Sequence, residues 1–406
     1  MKILLLAPQP FYQVRGTPIA VDLVLRVLSA RGHVVDVLAF HEGVDVRHPN
    51  VRIHRIPALP MVRNVGAGPS IKKLICDAFF VRKALRMTSR ERYDLVHAVE
   101  EAVFLAIWIK RRHGVNYVYD MDSSLPKQIV ERYDYLRGLV PWLQWHEGRA
   151  VQQAAVVLAA CEAVAEHARY HRPQGVVVLN DVSLLSLDEN RSEQGDGALR
   201  QALNVKGPLV MYVGALEQDR GTGLMLESFA SALRRVPNAR LVIVGGRSTQ
   251  IALWRRSAAK LGAAHAVHFL GPRPVSELRR FLSCADVLLS PQTHPINTPM
   301  KIYSYMDSGK AILATDLPAH RQVLNDKLAA LAEPTPIAFS KKLVQLLSDP
   351  ALRQRLGCRS RAHACAHYHY DGFRETLDTV YDELERRGNG TPPVRPRHTE
   401  RFRVAS

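Results

Sequence analysis

The side chains best placed to meet a ligand fall in one segment, Asn297-Thr298-Pro299-Met300-Lys301-Ile302-Tyr303-Ser304-Tyr305-Met306-Asp307-Ser308-Gly309. The pattern reads as a helix that opens after a strand and closes at glycine. Thr298 is placed to cap that helix, and Pro299 suits its first position. A helix start presents unpaired backbone N–H groups and the positive end of the helix dipole, here over 298–301 with the exception of Pro299. Lys301, in the first turn, adds a full charge. A nucleotide diphosphate is the natural guest, although an ordinary capped helix with an exposed lysine has the same pattern.

A second segment, Tyr212-Val213-Gly214-Ala215-Leu216-Glu217-Gln218-Asp219-Arg220-Gly221, reads as a strand, then a glycine where backbone passes close to a ligand, then a cation before a helix. Arg220 can fork across diphosphate oxygens; most loop arginines simply meet water. Gly245-Gly246-Arg247 follows a strand and either admits a ligand or makes a turn. Gly271-Pro272-Arg273-Pro274-Val275-Ser276 ends another strand at the same rim, where Gly271 and Val275 can offer backbone contacts to a base or form a rigid loop.

Three polar sites mark the first half of the chain. Arg15-Gly16-Thr17-Pro18 joins the first strand to the first helix, with Gly16 permitting close approach and Thr17-Pro18 as a cap pair. No GxGxxG pattern is present, which disfavours a dinucleotide cofactor. His97 with Glu100 and Glu101, and Asp120-Met121-Asp122-Ser123-Ser124, end two further strands. Acids there can orient sugar hydroxyls or an acceptor nucleophile. Asp122 and Ser123 suit helix caps equally well, and His97 suits a satisfied core histidine.

These residues need a frame. Apolar runs and periodicity predict strands over 2–7, 34–40, 51–56, 94–99, 117–120 and 176–179. Helices are predicted over 19–30, 71–87 and a stretch ending at 109. The 71–87 helix is expected to bury Ile71, Leu74, Ile75, Ala78, Phe79 and Leu85. Residues 183–206 are polar and read as a linker. A second series follows, with strands at 209–213, 240–244, 267–270, 287–290 and 311–315. Its helices are expected at 223–235, 251–261, 276–281 and 301–308. Strand–helix alternation in both halves implies an α/β protein with two Rossmann-like, doubly wound domains facing a central cleft, with ligands at the C-terminal strand ends. The expected division is an acceptor-side domain over 1–182, a linker over 183–206, a donor domain over 207–370, a final helix over 371–387 and a disordered Gly/Pro/Arg-rich tail over 388–406.

The 406 residues suit two domains, each able to bury a core. No apolar run approaches the ~20 residues that cross a bilayer. The apolar start ends at Pro8 without a small-residue cleavage site and reads as a buried strand. Five scattered cysteines without a CxxC pair argue against zinc and a disulfide framework, and fit a cytoplasmic protein. The net charge of +17 favours anionic partners. Nucleic acid is the weakest of these, because no zinc finger, KH loop or RNP pattern appears.

In this order, the motifs resemble retaining glycosyltransferases of family 4, over nearly the whole chain. The resemblance includes Arg31-Gly32-His33-Val34-Val35-Asp36-Val37 and the segment 301–324. It implies a GT-B fold, a C-terminal donor domain, an N-terminal acceptor domain, and retention of configuration without an obligatory metal or other cofactor. The family's paired glutamates align with Ile296 and Ser304, so Ser304 stands at the expected ribose contact. Ala215 and Arg220 occupy the family's basic pair, and Asn180-Asp181 its Asn-Gly turn.

The expected function is transfer of a hexosyl unit from a nucleotide sugar, UDP favoured over GDP, to a glycan, lipid-linked or small-molecule acceptor. Arg220, Lys301 and Asp122 are the expected catalytic residues. Gly16, Gly214, Gly245, Gly271, Val275, Thr298, Pro299, Met300 and Ser304 are expected on the donor, and Thr17, His97 and Glu100 on the acceptor side. The altered glutamate positions support a non-catalytic GT-B protein as the alternative. Charge alone supports a basic adaptor. Seven basic residues against two acids over 70–92, Lys110-Arg111-Arg112, and Trp142 with Trp145 point to an anionic membrane surface at the inner face of the membrane. Phe80 and Val81 are the residues expected to touch lipid.

Overall fold

The structure is a computed structural model that describes residues 1–13, 16–60, 62–66, 70–187, 198–217, 220–293 and 298–388. Arg15, Ile296 and Asn297, the centre of the expected linker, and the tail beyond Gly388 lie outside the described residues.

Seven strands form the first sheet: β1 (Lys2–Leu6), β2 (Val34–Ala39), β3 (Val51–Arg55), β4 (Leu95–Val99), β5 (Asn116–Met121), β6 (Val156–Ala159) and β7 (Val176–Val178). Their order is β3-β2-β1-β4-β5-β6-β7, all parallel. Six strands form the second: β8 (Leu209–Val213), β9 (Arg240–Val244), β10 (Val267–Gly271), β11 (Val287–Ser290), β12 (Ala311–Thr315) and β13 (Ala330–Ala332). They run β10-β9-β8-β11-β12-β13, again parallel. The central strands are buried and mostly apolar because helices cover both faces. In each sheet the order reverses beside the first strand of the series, so crevices open at the C-terminal ends of β1 and β4 and of β8 and β11. The chain thus has two parallel-sheet, Rossmann-like domains of the GT-B kind.

The segment expected as a linker is docked at both described ends. Leu184–Leu187 forms a short 3₁₀ turn whose Leu185 is buried in the second domain's core, and Arg200, in the helix Ala198–Ala202, pairs with Asp286 at 2.8 Å. The final helix, Tyr370–Gly388, returns to the first domain. Phe373, Leu377, Val380, Tyr381 and Leu384 complete the core around Ile3, Leu5, Val24 and Leu28. Arg31 anchors it through Asp378 at 3.0 Å and Asp382 at 2.6 Å.

The helix predicted over 71–87 spans Ile71–Arg90, and its faces are reversed. Cys76, Phe80, Ala84 and Thr88 are its buried residues. Ile71 is 78% exposed and Leu74 68%, with Ile75 and Phe79 also exposed. Phe80 packs against Phe40 in the core, while Val81 is exposed as expected. Small residues at 76 and 84 let this helix lie close on the sheet, so the narrower apolar stripe is the one that packs.

Candidate functional site

At the C-terminal ends of β8, β9 and β10, three glycines lie side by side. Gly245 N–H donates to the Gly271 carbonyl at 2.7 Å, and Gly214 N–H donates to the Val244 carbonyl at 2.9 Å. Gly214 and Gly245 have φ of 148° and 116°, and a Cβ on Gly245 would come within 2.2 Å of the Gly214 oxygen. Glycine is therefore required there by backbone meeting backbone. Val275, half-buried, begins a 3₁₀ turn just beyond this rim.

Lys301 reaches the same place. Its ammonium lies 3.9 Å from the centre of the Tyr212 ring and 3.3 Å from where a Cβ of Gly214 would sit. Tyr305, one turn further along the helix Lys301–Asp307, accepts a hydrogen bond from Val213 N–H at 2.8 Å and pins the helix to the end of β8. Burial, with the Arg220 charge beside it, holds the Lys301 ammonium well below the ordinary lysine range. Arg220 precedes the helix Thr222–Leu233 and lies 3.8 Å from Glu217. Two cations that raise each other's energy around an open glycine rim form an anion site.

The expected cap roles do not hold. The helix begins at Lys301, and Thr298 turns its hydroxyl to the Ala319 carbonyl at 2.8 Å instead. Pro299 and Met300 form the turn before the helix, their carbonyls accepting from Ile302 and Tyr303. Beneath them His320 is fully buried. Its Nδ1–H donates to the Thr315 carbonyl at 2.8 Å, leaving Nε2 to accept from Ser290 at 2.9 Å. Burial pushes this imidazole down to about 4. Ser304, expected at a ribose, is 1% exposed and accepts from Leu184 N–H at 3.0 Å. Its hydroxyl is thus engaged at the crossing between the domains.

The opposite rim carries acids. Glu100 follows β4 with φ of 51°, an uncommon backbone for a side chain of this size. Asp120 and Asp122 lie at the end of β5, and Asp181 follows β7. Burial and the charges of Asp120 and Asp181 hold the Asp122 carboxyl well above the carboxylate range, opposed by a hydrogen bond from Thr17. Burial and Asp122 raise Glu100 likewise, and burial with Asp120 brings Asp181 up to about 7. Carboxylates this crowded share protons at neutral pH.

Several acceptor-side expectations change. Thr17 is no cap: the helix starts one residue earlier, at Gly16, which is exposed with open space around it. Asp122 and Ser123 do not stand at the start of the next helix either. The helix Leu125–Arg132 has Ser124 at its start, and buried Glu147 receives both the Ser124 hydroxyl and Leu125 N–H. His97 is fully buried, bound to Tyr381 Oη at 2.7 Å and Asp120 at 3.1 Å, so it reaches the cleft only through Asp120. Sequence reasoning gave no role to Asp181, Tyr212, Tyr381 or His320. Of these only Asp181 carried a signal, its place in the turn after β7.

Among the described residues no His/Cys/Asp/Glu group is arranged to hold a metal, and no helix is long and apolar enough to cross a membrane.

Two family models match. One, described as a glycosyl transferase 4-like domain, covers residues 15–181; the other, glycosyl transferases group 1, covers 207–349. A D-inositol 3-phosphate glycosyltransferase of Corynebacterium diphtheriae is 29% identical over 204 residues, which is 48% of this chain and 46% of that protein. The phosphatidyl-myo-inositol mannosyltransferase of Mycobacterium tuberculosis is 25% identical over 95% of this chain and 97% of its own. Among solved structures, Anabaena HepE in complex with UDP-glucose superposes with a TM-score of 0.71 at 18% identity, covering 94% of this chain and all of that one.

Proposed function

Because the chain belongs to the group 1 glycosyl transferases with a family 4-like N-terminal domain, we propose that it moves a hexosyl unit from a UDP-sugar, or failing that a GDP-sugar, to a hydroxyl acceptor with retention of configuration. The observation that carries this reading is the convergence of Lys301 and Arg220 on the rim of Gly214, Gly245 and Gly271. A departing nucleoside diphosphate gathers negative charge in the transition state, and preorganised cations there stabilise it without reorganising. Thr298, Pro299 and Met300, just before Lys301, and Val275, just beyond Gly271, would line the donor. The protonated Asp122 and its neighbours Glu100 and Thr17 would meet the acceptor across the cleft. Closure of the two rims would exclude water from the donor.

UDP in the HepE complex supports the choice of uridine over guanosine. The test is a thermal-shift panel of UDP, GDP and their hexose conjugates, followed by a transfer assay with the sugar of the nucleotide that binds. Tighter GDP than UDP binding overturns the donor choice. Binding without transfer to any of a glycan, polyol or glycolipid panel favours the non-catalytic reading, for which the absence of a carboxylate at Ser304 is the motive.

A lipid-linked acceptor on an anionic leaflet is the acceptor we favour, with the protein peripheral at the inner face of the membrane. The observation is the outward apolar face of Ile71–Arg90, with Trp108, Trp142 and Trp145 also exposed. Arg82 and Arg86 stand exposed beside that face. Apolar side chains framed by cations suit a headgroup layer. The mycobacterial relative is named for a phosphatidyl acceptor, which agrees in kind.

A further inference from the structure

Tyr381, His97 and Asp120 form a buried chain from the last helix, Tyr370–Gly388, to the acidic rim. The phenol oxygen lies 2.7 Å from His97 Nδ1, and His97 Nε2 lies 3.1 Å from Asp120 Oδ2. The phenol and imidazole rings are stacked, 7° from parallel. Both side chains are fully buried, so water has no part in fixing them. Glu147, another buried acid of this domain, holds a helix start and does not join the chain.

A carboxylate accepts only, so Nε2 must carry the hydrogen it shares with Asp120. When the ring carries that single hydrogen, Nδ1 has a lone pair and the phenol donates to it. Burial and the nearby Asp120 charge push the Tyr381 hydroxyl up, so it keeps its proton. The carboxylate on one side and the phenol on the other together hold the ring in this tautomer.

We propose that Tyr381 and His97 are positioning residues of the acceptor rim: the phenol fixes the imidazole tautomer, and the imidazole fixes the carboxylate of Asp120. Asp120 then serves as the anchored negative charge against which Asp122 and Asp181 hold their protons. The rim presents carboxylic O–H donors beside a carboxylate, a pairing suited to a polyhydroxyl acceptor whose hydroxyls both donate and accept. This rests on reading that rim as the acceptor side of a sugar transferase. The other charged groups around the chain are accounted for. Arg31 pairs with Asp378 and Asp382, His33 lies by Tyr381 and Glu385, and Glu100 stands with Asp122 on the rim.

The test is nuclear magnetic resonance of the full chain with labelled imidazole nitrogens and aspartate carboxyl carbons. In the wild type, the nitrogen shifts of His97 are expected to report the Nε2–H tautomer. The Nδ1–H tautomer overturns the proposal whether or not any variant folds. In Tyr381→Phe, which keeps the buried ring, the Asp120 carboxylate is expected to lose its fixed orientation. The Asp181 midpoint, about 7 in the wild type, is then expected to fall by about half a pH unit or more as repulsion from Asp120 weakens. A folded variant with an unchanged midpoint overturns the proposal, since a purely structural tyrosine would behave so. UDP-induced thermal stabilisation, read on both proteins, is expected to be equal. Its absence from both, with the midpoint shifted, counts against the donor reading alone.

Discussion

The Lys301 ammonium rests over the Tyr212 ring, 3.9 Å from its centre. The aromatic face takes the place of a counter-ion, and the position keeps the charge at the glycine rim. It also holds the lysine well below its usual range. A bound diphosphate would reverse that shift. UDP binding is therefore expected to take up a proton at pH values below the ordinary lysine range, detectable by calorimetry in buffers of different ionisation enthalpy. Lys301→Ala is expected to abolish the uptake and weaken UDP about 10- to 100-fold, the ~1.5–3 kcal/mol of a charged hydrogen bond. Lys301→Arg is expected to restore this only in part, because a planar fork does not fit over the ring as a point charge does. Uptake that persists in Lys301→Ala assigns the proton to another group.

Arg220→Ala is expected to lower kcat more than it raises the Kd of UDP. Its guanidinium is 42% exposed at the mouth of the site, where it meets charge that grows as the bond to the diphosphate breaks. The expected cost is ~2–4 kcal/mol in the barrier, as for other preorganised charge-stabilising donors. Equal losses in binding and turnover would mean that it serves the ground state alone.

Ser304 is expected to matter for stability. Ser304→Ala strands the Leu184 N–H in a buried crossing and should cost about 1–2 kcal/mol in chemical denaturation. Ser304→Glu forces a larger acid into a 1% exposed position and should destabilise more. A glutamate variant that folds normally and binds UDP more tightly would restore the ribose role.

Two buried groups bend stability with pH in opposite directions. His320 has a folded value of about 4, below its ordinary 6.5, so the unfolded chain binds the extra proton between those values. Its contribution is full above 6.5 and lost as pH falls to 4, up to about 3 kcal/mol. Asp181 has a folded value of about 7, above its ordinary 3.8. The folded state there holds the extra proton, so stability rises as pH falls through that window and is lowest above 7. Asp181→Asn is expected to raise the Tm at pH 8 and barely change it at pH 4. His320→Gln is expected to flatten the acid limb. Denaturation curves at several pH values check both signs.

Vesicle co-sedimentation tests the membrane face. Binding to anionic and not neutral vesicles is expected, reduced by salt and by Arg82→Glu with Arg86→Glu. Lys73 and Lys83 are unsuitable for reversal, since they donate to the Pro8 and Arg55 carbonyls and hold the helix in place. No sedimentation at low salt would point to a soluble acceptor.

The strands were legible because a parallel sheet covered on both faces demands unbroken apolar runs, as at 2–6, 209–213 and 311–315. The glycine rim was legible too, since Gly214, Gly245 and Gly271 each follow such a run. Direction was not. The repeat of Ile71, Leu74, Ile75 and Phe79 announces an apolar stripe without saying which side meets the protein, and Cys76 and Ala84 decided it by their small size. Position in an alignment likewise placed Ser304 on its helix but gave no sign that its hydroxyl meets Leu184 N–H. The bond from His97 to Tyr381 spans 284 residues of sequence, and no local pattern records it.

The return of Tyr370–Gly388 to the first domain has a consequence for the order of assembly. The second domain's strands and core come from one uninterrupted stretch of chain, so it can close as soon as that stretch has left the ribosome. The first domain is made early and finished last: Ile3, Leu5, Val24 and Leu28 wait for Phe373, Leu377 and Tyr381. Until then its nascent form carries an open apolar seam, a site for chaperone capture during synthesis. The same seam makes its maturation depend on the domain that folds in between.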